Sequence, residues 1–116
     1  MAEFKGATAK EWFREMEESE PVNTAAFKTS RVFLFMVDSD SDYATSKRHS
    51  AFLWYAAKTN KPIILSVDSK VNLVDLDAFL AKFSARASAR IVSDLSNPSR
   101  ASLDSVATAV KTFMPV

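Results

Sequence analysis

Apolar positions along the chain fall into blocks whose spacing changes from helical to extended and back. Thr8-Ala9-Lys10-Glu11 has the form of a capping box, and Ala9, Trp12, Phe13 and Met16 follow at helical spacing. This predicts a first helix from about Ala9 to Ser19, stopped by Pro21. Val22 to Ser30 has no clear period and reads as a connection with at most one helical turn around Ala25 and Phe27. Arg31-Val32-Phe33-Leu34-Phe35-Met36-Val37 is a continuous apolar run, the pattern of a parallel strand covered on both faces, and it reads as the central strand. Asp38 to Asp42 breaks it.

Tyr43 to Thr59 then predicts a helix burying Ala51, Phe52, Trp54, Tyr55 and Ala56. A second strand, Ile63-Ile64-Leu65-Ser66-Val67, follows Pro62, where a missing N–H is tolerated. Leu76, Phe79, Leu80 and Phe83 mark a third helix, and Ala89-Arg90-Ile91-Val92 a short strand. Asn97 as N-cap with Pro98 at the first helical position opens a last helix burying Leu103, Val106, Ala107, Val110 and Phe113. Strands alternating with helices predict right-handed crossovers in a parallel sheet. The expected fold is a small three-layer α/β domain, Rossmann-like or flavodoxin-like, with about three strands and helices on both faces. Phe33, Phe35, Val37, Phe52, Ile63, Leu65, Phe79, Leu80, Val106 and Val110 should share one core. With so few strands an edge stays open, which invites a homo-oligomer or a protein partner.

Composition narrows the function classes. The 116 residues carry a formal charge of +1, which gives no field to hold nucleic acid or an anionic membrane. Cysteine is absent, so disulfides, thiolate metal sites and a Cys nucleophile are excluded. Met1 to Lys5 lacks the apolar run of a signal peptide, and a cytoplasmic location is expected. The single glycine, Gly6, excludes a glycine-rich phosphate loop and leaves left-handed turn positions to Asn, Asp or Ser.

In an open parallel sheet, ligands bind beyond the carboxyl ends of the strands. Here those ends are Asp38-Ser39-Asp40-Ser41-Asp42, Asp68-Ser69-Lys70 and Ser93-Asp94-Leu95-Ser96-Asn97, all polar. Such residues also serve as ordinary helix caps. Asp38, Asp40 and Asp42 copy the first half of a calcium loop, but Tyr43 stands where its glycine is needed and His49 where its bidentate glutamate belongs. A looser magnesium site would use Asp38, Asp40 and Asp68. His49, beside Lys47 and Arg48, reads as part of a solvated basic face, or else as an aid to anion binding at a helix N-terminus. The candidate ligand-binding residues are Ser39, Asp40, Ser41, Asp42, Tyr43, Ser46 and Lys47, facing a nucleotide-type small molecule.

The run Arg31 to Val37, then Ser41-Asp42-Tyr43-Ala44-Thr45-Ser46, Ala51 to Ala57 and Asn60-Lys61-Pro62-Ile63-Ile64-Leu65, resembles the nucleoside 2-deoxyribosyltransferase-like and TIR-like families over about a third of the chain. The resemblance implies a Rossmann-like fold that binds nucleosides or NAD-type dinucleotides and cleaves the N-glycosidic bond. The catalytic glutamate of those families falls at or near Phe52, and no Glu occurs after Glu20. Phenylalanine can neither attack nor stabilise an oxocarbenium-like centre. The first strand and ligand loop of those families are expected to be truncated or missing. Together these features imply a catalytically dead relative, a non-enzymatic interaction or ligand-sensing domain that self-associates. The alternative is an N-glycosidase or transferase that uses an aspartate of the 38–42 loop.

Overall fold

A computed structural model describes residues 6–39 and 42–113. Its elements run α1 (Ala9–Ser19), α2 (Pro21–Thr29), β1 (Phe33–Val37), α3 (Lys47–Lys58), β2 (Ile63–Asp68), α4 (Leu73–Ala81), β3 (Ala89–Ser93) and α5 (Arg100–Phe113). The three strands form one parallel sheet in the order β1-β2-β3, with Phe35 opposite Leu65 and Leu65 opposite Arg90. Among the described residues no helix is long and apolar enough to cross a membrane.

Alternation along the strands divides the core. Phe35 and Val37 of β1 and Ile63, Leu65 and Val67 of β2 point to one face, where Leu53 and Ala56 of α3 and Leu76, Phe79 and Leu80 of α4 close over them. The alternate residues, Leu34, Met36 and Ser66, face α5 on the other side. The expected helices on both faces are therefore present, two opposite one. Every residue of β2 is buried, so β2 is the central strand. The run containing β1 is an edge strand instead, with Leu34 40% and Met36 57% exposed. Its unbroken apolarity does not mark a covered strand, because α5 lies over β2 and β3 and leaves the β1 half of that face uncovered.

α1 starts as expected: the Thr8 hydroxyl accepts from the Glu11 amide at 3.2 Å and meets the Glu11 carboxylate at 3.1 Å. Its apolar stripe docks on α3 rather than on the sheet. Phe13 stacks on Tyr55 with centroids 4.6 Å apart, and Met16 and Ala51 are fully buried beside it. Residues 21–29 form a complete helix where a connection was expected. Pro21 opens α2 at its first turn, and tertiary bonds replace the missing periodicity. The buried Thr24 hydroxyl bonds the Met16 carbonyl at 3.1 Å and the Glu20 carbonyl at 2.7 Å. At the far end the Lys61 ammonium donates to the carbonyls of Phe27 and Ser30. Burial holds that ammonium below the usual lysine range.

Other boundaries shift for local reasons. α3 begins at Lys47, not Tyr43, because Ser46 is its N-cap and accepts from the His49 amide at 3.3 Å. α5 begins at Arg100, because the Ser99 hydroxyl accepts from the Ser102 amide at 3.1 Å and takes the capping role expected of Asn97. Of the expected core, Phe33 and Phe52 are half-buried, and so are Val106 and Val110, leaving Ala109 as the buried residue of α5. Asn60 (φ 57°) and Ser84 (φ 54°) occupy the left-handed turns that end α3 and follow α4, as the scarcity of glycine requires.

Candidate functional site

The carboxyl rim of the sheet is polar, as the sequence indicates, but its groups are largely committed to local structure. Asp68, 3% exposed, closes β2 by accepting from the Lys70 amide at 2.9 Å, while its backbone carbonyl accepts from Val71. Asp38 is exposed, and the Ser39 hydroxyl donates to it at 3.3 Å. The Asp94 carboxylate is held below its usual range by the Ser96 hydroxyl and amide that bond it. Among the described residues no group of three or more Asp, Glu, His or Cys side chains gathers where a metal ion could sit.

The seven candidate residues diverge. Asp40 and Ser41 lie outside the described residues. Asp42 uses its carbonyl to accept from Thr45 and Ser46 in the turn before α3. Tyr43 turns inward, its ring edge-on to Phe79 at 5.2 Å, and burial raises its hydroxyl above the usual tyrosine range. Ser46 caps α3, and the Lys47 ammonium lies 5.4 Å over the Trp12 ring. Of the described five, Ser39, Asp42 and Lys47 are exposed, and the Ser39 hydroxyl meets the Asp38 carboxylate.

His49 is not part of a solvated basic face. Its ring stacks on Phe35 at 5.3 Å, and its buried Nδ1 has no hydrogen-bond partner. Arg48 turns away to pair with Glu20, which lowers that carboxyl below its usual range. Burial first, and the Arg48 charge second, lower the affinity of His49 for a proton. The unfolded chain then binds more protons than the folded one as the pH falls through about 6.5, the reference value for histidine. Stability is expected to be full above that pH and to decline below it until the folded-state pKa is passed. His49→Phe should flatten this limb in urea titrations between neutral and mildly acidic pH, and an unchanged slope would refute the assignment.

The enclosed site lies beside the rim. In a strand order that never reverses, no crevice opens at a switch point between strands. Here one opens because α5 crosses only part of its face. Leu34, Met36 and Ser66 form the floor of a cavity of about 300 Å³, with Leu103, Val106 and Ala107 of α5 as its wall. Ser93, Leu95, Pro98 and Ser102 close the end nearest the strand termini. Among the described residues no charged side chain lines it. A larger hollow of about 540 Å³ between α4 and the start of β3 opens widely to solvent, and its Arg90 is already paired with Asp77 at 2.9 Å.

None of the five described candidate residues lines the crevice. The signal that marked it in the sequence was Ser66, a lone hydroxyl inside the apolar strand Ile63 to Val67. No protein-family model, no curated protein and no solved structure matches the chain.

Proposed function

We propose that this chain is a non-enzymatic ligand-sensing domain that takes a small molecule between α5 and the uncovered half of its sheet. The observation that carries this reading is the crevice itself: about 300 Å³, mostly apolar and adjoining the carboxyl ends of the strands. Ligand pockets are typically concave, largely apolar and about 300–1,000 Å³. This one suits a compact ligand. The wall is also suited to respond, because α5 buries little beyond Ala109, and a ligand bridging Leu103 and Val106 to the floor would tighten its docking.

The non-catalytic part of the reading is supported by position 52. The Phe52 ring lies 4.3 Å from Phe27 and 6.0 Å from Phe33, at the amino end of β1 and away from the polar rim. A carboxylate in that place would point into an aromatic cluster.

Incubation with NAD and with deoxynucleosides is expected to release no free base, while a thermal-shift screen of small neutral molecules is expected to find ligands that raise Tm. Enzyme-dependent base release that Asp42→Asn abolishes would overturn the reading in favour of an N-glycosidase.

A further inference from the structure

Ser66 is 4% exposed and sits on the floor of the crevice, on the face of β2 turned toward α5. Its hydroxyl makes no hydrogen bond among the described residues and opens onto the crevice, where an occupant would take it out of water, and a hydroxyl so placed ordinarily finds a partner. Of its strand neighbours on that face, Ile64 and the opposing Ile91 are aliphatic, and the Asp68 carboxylate accepts from the Lys70 amide instead. Of the other hydroxyls lining the crevice, that of Ser102 on α5 bonds Ser99 at 2.9 Å, and Ser93 lies at the end nearest the strand termini. Leu34, Met36, Leu103, Val106 and Ala107 surround Ser66 with hydrocarbon and thioether.

From this juxtaposition we infer that the crevice binds a neutral, largely apolar small molecule carrying one hydroxyl or carbonyl, anchored by the Ser66 hydroxyl; the inference rests on the ligand-binding reading above. Two features set the ligand's chemistry. A phosphate or carboxylate would enter a cavity without a cation among its described lining residues and would lose its water uncompensated. A pure hydrocarbon filling the crevice would strip the Ser66 hydroxyl of water and leave it unsatisfied. A ligand with an apolar body and one hydrogen-bonding group meets both demands. A serine hydroxyl both donates and accepts, so it serves a ligand hydroxyl or a ligand carbonyl.

Phenol and its near-isostere toluene are the probes, titrated into ¹⁵N-labelled protein while the amides of residues 34–36, 66 and 102–107 are followed. Phenol is expected to bind roughly three- to tenfold more tightly than toluene, the ratio that one net hydrogen bond supplies. Ser66→Ala should bring the two probes to equal affinity. Ala107→Trp, at an exposed position of α5 that lines the crevice, should abolish both without unfolding the protein. Equal binding of the two probes in wild type, unchanged by Ser66→Ala, would overturn the role of Ser66 while leaving a small-ligand crevice in place. No shift at the crevice amides with either probe would overturn both readings. So would shifts there that follow protein concentration alone, which would identify a second copy of the chain as the occupant.

Discussion

Replacing Leu65 by alanine is expected to cost about 2–5 kcal/mol, a large share of the roughly 5–15 kcal/mol that holds a domain of this kind together. Leu65 is fully buried at the middle of the central strand, with Phe35 on the neighbouring strand and Leu76 and Leu80 of α4 in the same cluster. The cavity left by truncation is walled by a sheet and two helices, so little can relax into it. Leu34→Ala removes the same atoms from the exposed face of β1 and should cost far less. Urea titration is the check, read as a shift in midpoint at constant m. Similar losses for the two variants would contradict the assignment of β2 as the central strand and β1 as an edge.

Phe13→Ala should cost about 3–5 kcal/mol if unfolding is all-or-none, because it removes the ring that joins α1 to the rest of the molecule. That ring packs on Tyr55 at 4.6 Å, Trp54 at 5.9 Å and Phe27 at 6.5 Å. Since α1 and α2 pack on the outer side of α3, their release can occur locally, and the measured global loss would then be smaller. Hydrogen exchange separates the two cases. The expected pattern is loss of protection in α1 and α2, with the β2 amides still protected. Uniform loss through β2 would show that the outer helices and the sheet form one cooperative unit.

Much of this architecture was legible because local chemistry decides it. The Thr8 to Glu11 capping box, the apolar strand after Pro62 and the small polar residues at the left-handed turns all act within a few residues of themselves. What stayed hidden depends on residues far apart in the chain. α2 has little periodicity of its own and is held by Thr24 on the end of α1 and by Lys61, a residue beyond α3. The edge position of β1 follows from where α5 comes to rest, which no pattern within Arg31 to Val37 records. His49 sits in a basic tripeptide, yet the helical angle between it and Lys47 sends one ring onto Phe35 and the other side chain over Trp12.

The site was legible only in part, for the same reason. Turn residues at the strand ends could be read as a cluster, but Tyr43 turns into the core, Ser46 caps α3 and Asp68 closes its own loop. The crevice instead combines residues from β1, β2 and α5 that are ordinary core residues in sequence. Ser66 breaks that pattern within β2, and its hydroxyl, with no partner among the described residues, opens onto the crevice.

If ligand binds between α5 and the uncovered half of the sheet, the amide footprint of any small neutral ligand found by thermal shift will lie there. Shifts are expected at Leu34, Met36, Ser66, Leu103 and Val106, with the amides of Ser39 and Thr45 to Lys47 unmoved. A footprint confined to the turn between β1 and α3, with the α5 amides unmoved, would contradict it.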